Sequence, residues 1–203
     1  MGGAGDTATD AGCAAGSATT MPAAMRLPAA ALCDPAAQVV VEDPDLLPPL
    51  RLRPVGVVHS PFRSHLATPR QPATGADEAD GIIVLRRGLQ NLLCDLKGFD
   101  RIWVVFQFCY ARGWKDLVRP PRSPVKRGLF ATRCPHRPNP IGLSAVRLLN
   151  VVGRKVFIRD HDLLHGTPVL DLKPYLPYCD AHPDARAGWV DTVDPAAPDH
   201  RWV

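Results

Sequence analysis

The chain has 203 residues, 46% hydrophobic and 22% charged, with a formal net charge of +4. That is room for one ordinary domain with a proper core, in the composition range of a soluble globular protein. No run approaches the roughly 18 apolar residues of a membrane-spanning helix, and no basic stretch followed by an apolar block marks a secretory signal, so a cytoplasmic protein with no membrane partner is expected.

The charge is unevenly spread. Residues 1–50 carry six acids against one Arg, whereas residues 117–159 contain ten Lys or Arg and no acid. A basic block of that length is the footprint of a polyanion partner or else a solvated face; charge alone leaves both open. Trp114 and Lys115 just upstream add the ring and cation that single-stranded nucleic acid favours. Six cysteines without CxxC spacing read as scattered free thiols.

In chain order, residues 1–50 are rich in Ala, Gly, Thr and Pro, with no aromatic residue before Phe62. They cannot bury enough apolar surface to offset ordering and are expected to form a disordered tail, with Met21 or Met25 as alternative starts. A domain is expected over 51–195 and a short tail over 196–203. Residues 52–59 read as an edge strand, because Pro54 cannot donate to a central ladder. Residues 81–86 read as a second strand. Leu89, Leu92, Leu93 and Leu96 recur at helical spacing and predict a short amphipathic helix stopped by Gly98. Residues 101–110, RIWVVFQFCY, predict a central strand buried on both faces.

Residues 127–144, RGLFATRCPHRPNPIGLS, open on short-strand chemistry at Leu129–Ala131 and then enter a loop stiffened by Pro135, Pro138 and Pro140. That rigidity holds Arg133, His136, Arg137 and Asn139 ready for a ligand; a solvated connector is the plain alternative. Residues 142–151 and 155–160 predict a hairpin about Val152-Gly153-Arg154, and residues 168–172 a last strand. Trp189 and Trp202 are candidate packing anchors. Short strands, regular turns and one short helix predict a mainly β fold, a small closed or nearly closed antiparallel barrel. No GxGxxG follows a strand and no βαβ alternation is present, so a Rossmann-type fold is unsupported.

Three separated segments, in order, carry a resemblance. They are Val55–Val58 with Ser60-Pro61-Phe62 and Pro69-Arg70-Gln71; the 127–144 stretch with Trp114 and Val118–Arg122; and Asp162–Tyr175, DLLHGTPVLDLKPY. Together they resemble the TsaA-like family, which includes tRNA threonylcarbamoyladenosine N6-methyltransferases. The resemblance implies a β-barrel that dimerises and binds S-adenosylmethionine in a site completed at the dimer interface. It implies that Pro69, Arg70, Gln71, Cys109, Tyr110, Arg133, Leu143, Leu164, His165, Gly166 and Thr167 line that site. It further implies methylation of N6 of threonylcarbamoyladenosine, on the 3′ side of the tRNA anticodon.

The acceptor nitrogen must lose a proton, and His136 or Tyr175, with Asp171 and Lys173 orienting, are the candidates for assisting that loss. Arg119, Arg122, Lys126, Arg127 and Arg137 are candidates for phosphates of the anticodon loop. Two positions depart from the family pattern: Cys134 stands where Ser or Thr is usual, and His165 where Asp is usual. The alternatives are a non-catalytic RNA- or nucleotide-binding barrel, or a methyltransferase with a small-molecule acceptor. His161, His165, Cys179 and His182 have a superficially zinc-like spacing, but no metal site is expected, since a ligand pair would compete with the third motif for one loop.

Overall fold

The computed structural model describes residues 44–66, 68–69, 71–72, 79–121 and 123–194. Most of the expected N-terminal tail, the expected 196–203 tail with Trp202, and Arg70 and Arg122 lie outside the described residues. The chain divides into two units, the second beginning at Leu52. In the first, a single 3-10 turn is described, at Pro44–Leu46.

Six strands of the second unit close an antiparallel barrel. These are β1 (Gly56–His59), β2 (Asp80–Leu85), β3 (Arg101–Gln107), β6 (Ile141–Val152), β7 (Lys155–Arg159) and β8 (Pro168–Pro174), in the order β1-β2-β7-β6-β3-β8. Between β3 and β6 runs a separate two-stranded ribbon of β4 (Leu117–Val118) and β5 (Arg127–Gly128), paired Leu117 with Gly128 and Val118 with Arg127. A four-residue helix, α1 (Pro177–Asp180), follows the barrel. No described helix is long and apolar enough to cross a membrane.

Alternation along the strands decides what faces inward. Val58, Ile83, Ile102, Val104, Val146, Val156, Ile158 and Val169 are completely buried, while their neighbours point outward. Each such side chain is worth about 1.5–3 kcal/mol on burial. Phe106 needs more room than a β-branched residue. It gets that room from Gly142, its register partner, where an added Cβ would lie 2.3 Å from the Phe106 ring. The β6–β7 hairpin turns at Gly153-Arg154, with Gly153 at a left-handed φ of 58°.

Four sequence expectations change. The 52–59 segment is no edge: β1 pairs with both β2 and β8, and Pro54 lies ahead of the ladder. The helix expected over 89–96 is two 3-10 turns, Gln90–Leu93 and Leu96–Gly98, because Cys94 is extended and Asp95 left-handed between them. Its Leu residues still serve the core, Leu93 buried and Leu89 and Leu96 packed against it. A run this short cannot nucleate an α-helix without tertiary help. Strand β3 buries one face only; Trp103 on the other face is half-covered, its indole N–H donating to the Asp180 carboxylate at 3.0 Å. Finally, Leu129–Ala131 is a 3-10 turn, not a strand.

Candidate active site

Strand direction gathers the motifs. The C-terminal end of β3, the N-terminal ends of β6 and β8 and the C-terminal end of β1 share one mouth of the barrel, as the pairs Gln107–Ile141, Phe106–Val169 and Val57–Pro168 require. The segments after β1, after β3, before β6 and before β8 therefore meet there.

The signature loop is built largely from its own backbone. The Thr132 hydroxyl donates to the Leu129 carbonyl at 2.7 Å, and the Arg137 guanidinium donates to the carbonyls of Thr132 at 3.0 Å and Cys134 at 3.4 Å. Arg137 also sits 5.3 Å over the Phe130 ring. Cys134 is buried with Val118 and Leu129 in a small cluster of its own, and burial pushes its thiol up from the ordinary range. At this position the thiol acts as a small apolar filler.

That loop presents Arg133. Its guanidinium donates to the side-chain oxygen of Gln71, joining the signature to the segment after β1. Pro69 lies half-buried two residues before Gln71. Close by, the Ser144 hydroxyl donates to the Asp162 carboxylate at 2.7 Å, joining β6 to the segment before β8. Burial raises the Asp162 pKa above the usual carboxylate range, while the Ser144 hydrogen bond and the charge of Arg133 act to lower it.

The third motif is laced to β1. Backbone N–H groups of His165 and Gly166 donate to the carbonyls of Phe62 and Val58, both at 2.8 Å, and Val58 N–H donates to Thr167 at 3.0 Å. Gly166 takes a φ of 82°, which this turn demands of glycine, with open space where a side chain would be. Leu164 is half-buried and Thr167 buried. The His165 imidazole turns back toward β1, its Nδ1 accepting the Ser60 N–H at 3.4 Å and its ring meeting His59 edge-on at 5.3 Å.

Several large apolar side chains on β6 and on the segments between β3 and β6 are uncovered. Tyr110 is 68% exposed and Leu143 57%, with Trp114, Phe130 and Ile141 also exposed. Cys109 is exposed beside Tyr110, and its carbonyl accepts from Arg112 at 3.0 Å. His136 Nδ1 lies 3.1 Å from both the N–H and the carbonyl oxygen of Arg112, and its tautomer decides which one it serves. With Nδ1–H donating to that carbonyl, Nε2 keeps a free lone pair.

The remaining candidates run away from the mouth along the outer wall. Asp171 sits in a row with Val105 and Leu143, and Lys173 beside Trp103. The Lys173 ammonium pairs with Asp171 at 2.8 Å, and the Tyr175 ring tilts against Trp103 at 5.4 Å. Tyr175 N–H bonds to Arg101, at the start of β3, whereas Arg112 and His136 lie beyond its end. Seven strand residues at about 3.3 Å each put Tyr175 roughly 20 Å from that end within one protomer, while Asp171, level with Val105, lies two residues from it.

The basic block divides too. Arg119 and Lys126 are exposed, while Arg127 is half-buried with its guanidinium 5.4 Å over the Trp189 ring. Among the described residues no three His, Cys, Asp or Glu side chains converge as metal ligands. Sequence reasoning missed the Ser144–Asp162 pair. Both residues lie in recognised motifs, but only the folded barrel brings them together.

Three comparisons bear on this arrangement. Residues 57–181 match the family model described as the tRNA-methyltransferase O N-terminal domain. A probable S-adenosyl-L-methionine-binding protein of Pyrococcus abyssi is 41% identical over 139 residues, covering 68% of this chain and 75% of that one. A tRNA (adenine(37)-N6)-methyltransferase of Escherichia coli is 39% identical over 153 residues, covering 70% of this chain and 64% of the relative. The crystal structure of TrmO from Pseudomonas aeruginosa superposes with a TM-score of 0.59 at 37% identity, over 72% of this chain and 65% of that one.

Proposed function

We propose, from the premise that this chain belongs to the tRNA-methyltransferase O family, that it methylates N6 of an adenosine in tRNA with S-adenosylmethionine as methyl donor. The observation that carries this reading is the meeting of three motif segments at one barrel mouth, joined by Arg133 to Gln71 and by Ser144 to Asp162.

The residues there fit the cofactor. Leu143 and Tyr110 offer exposed apolar and π surface suited to an adenine and to a cationic sulfur. Gly166 leaves its backbone open to close approach, and Arg133 with Gln71 offers polar groups for the amino-acid end. Pro69, Arg70, Cys109, Leu164, His165 and Thr167 complete the proposed lining. When bound, the cofactor supplies an electrophilic methyl group, and the chain supplies in-line placement and exclusion of water.

His136, in the tautomer that donates to Arg112, has Nε2 available to take the proton from the acceptor nitrogen. Asp171, level with Leu143, and the Lys173 paired with it lie nearer the mouth of their own chain. Tyr175 stands about 20 Å away along β3 in one protomer and reaches a mouth only if it is a second copy's. The exposed Tyr110, Trp114, Phe130, Ile141 and Leu143 support such a homodimer, since a second copy laid over them would remove their apolar surface from water. Arg119, Arg122 and Lys126 are the proposed phosphate contacts of the anticodon loop; Arg127 and Arg137 contribute less, being already stacked on Trp189 and Phe130. The finer acceptor we propose is threonylcarbamoyladenosine 3′ of the anticodon, and the setting is the cytoplasm.

Mass spectrometry of tRNA nucleosides from cells with and without the gene tests the reaction and acceptor together. Loss of methylated threonylcarbamoyladenosine with accumulation of its precursor is the expected result. An unchanged nucleoside profile would sink the assignment.

A further inference from the structure

On the outer wall of the barrel a groove of about 450 Å3 lies between the end of β1 and strands β2 and β7. That volume is within the range of small-ligand clefts, about 300–1,000 Å3. Ile82 and Phe157, adjacent in register, form its floor with Leu149, which sits at the β6 bulge. His59, Arg63 and His165 come to its rim from three different segments.

Among the described residues the rim carries one fixed cation, Arg63, beside the two imidazoles. Its one carboxylate, Asp80, is taken by the Arg159 guanidinium at 2.6 and 3.1 Å. Burial first, then the charges of Arg63 and His59, holds the His165 imidazole below its ordinary pKa. None of these three rim residues belongs to the basic block of 117–159. An aromatic and aliphatic floor under a rim of one guanidinium and two imidazoles matches a nucleotide, with a flat base on one side and a phosphate on the other.

We propose that this groove is a subsite for a nucleoside phosphate. Resting on the family reading above, its occupant is one phosphodiester-linked nucleotide of the tRNA, held apart from the acceptor base. The base lies against Phe157, Ile82 and Leu149, and the phosphate between Arg63, His59 and His165. The His165 backbone belongs to the third motif and its ring to the groove, so the occupied groove also steadies the mouth. Protonation of His165 strengthens the hold, and because its pKa is lowered the gain in affinity comes only as pH falls below the ordinary imidazole value. Besides His59, the charged group acting on His165 is Arg63 on the segment after β1, and the Asp80 carboxylate that also lines the groove is paired with Arg159.

The test uses the full chain carrying His59→Gln with Arg63→Gln, its fold checked by circular dichroism. We expect tRNA affinity to drop about tenfold, the scale of one lost charge-assisted contact. The slope of log affinity against log salt should flatten by about 0.7–0.9. The Kd for S-adenosylmethionine should not change. Unaltered tRNA affinity and salt slope would overturn the RNA subsite. If the unmodified chain binds no tRNA, the family reading fails instead, and titration with AMP decides the groove. Shifts of the His59 and His165 imidazole resonances that vanish in Arg63→Gln would keep it as a free-nucleotide site. No shift, or an equal response to inorganic phosphate, would overturn it.

Discussion

The indole N–H of Trp189 donates to the carbonyl of Ala131 at 2.8 Å, tying the segment after α1 back to the signature loop 58 residues earlier. The same ring lies under the Arg127 guanidinium, whose Nε is buried without a hydrogen bond. Trp189 lies in its own 3-10 turn, Gly188–Thr192, fastened by Thr192 donating to the Trp189 carbonyl and Ala187 to Asp191. This turn falls outside the 57–181 span of the family match. Trp189→Phe keeps a ring for Arg127 and removes the donor, so a loss of about 1 kcal/mol is expected. Trp189→Ala removes both and should cost more. Urea denaturation of the two variants against the parent checks the order; equal losses would show that the hydrogen bond contributes all of the effect.

Arg133 reaches Gln71 with a planar fork that lysine cannot copy. Arg133→Lys keeps the charge beside Asp162 and loses the second donor arm. We expect S-adenosylmethionine affinity to fall about tenfold, equivalent to about 1.4 kcal/mol, with thermal stability nearly unchanged because the side chain is exposed. Isothermal titration calorimetry beside a melting curve separates the two. A matching drop in stability would assign Arg133 to holding the loop together instead.

Why the barrel could be read from the sequence and part of the site could not is visible in particular residues. Ile102 to Phe106 form a short continuous apolar run, a local signal for a strand, although the run does not itself show that Trp103 and Val105 face outward. The 89–96 stretch misled because Leu spacing reports which side chains go inward, and two 3-10 turns bury Leu93 as well as a helix would. The β1 edge assignment failed because barrel closure is set by every strand together and not by Pro54. The motif residues were legible as types, but Ser144 with Asp162, and Trp189 with Ala131, are pairings of distant positions. His165 shows the same limit. Its residue type was noted, while its turn toward Ser60 and His59 depends on how the third motif is laced to β1.

Gly142 is the sharpest packing constraint on the motif side of the barrel. An alanine Cβ there would meet three Phe106 ring atoms at 2.3, 2.5 and 2.8 Å. The ring cannot swing aside freely, since it packs edge-on against Phe108 at 5.0 Å. Gly142→Ala should therefore cost about 1–3 kcal/mol through overpacking. A second change, Phe106→Leu, should recover part of that loss by shrinking the obstructing side chain. Denaturant midpoints of the single and double variants measure the coupling, and strict additivity would show that the two residues do not collide.

His161 and Asp162, adjacent in sequence, should impose opposite pH dependences on stability. His161 is 1% exposed, its Nδ1 accepting the Leu163 N–H at 3.2 Å, and burial lowers its pKa from the usual 6.5. A base with a depressed folded pKa adds stability above its unfolded pKa and loses it as pH falls through the folded value. Asp162 behaves in reverse. Its folded pKa is raised above 3.8, so its contribution is complete below that value and declines as pH rises through the folded pKa. Asp162→Asn keeps an acceptor for Ser144 and removes the charge, so the decline above pH 4 should flatten in that variant. His161→Asn places a non-titrating amide at the same position and should remove the loss below about pH 6.5. Unfolding free energies measured from pH 4 to 8 for parent and variants resolve the two limbs. A parent whose stability rises monotonically across the whole range, unaltered by Asp162→Asn, would show that the Asp162 carboxylate carries no burial penalty.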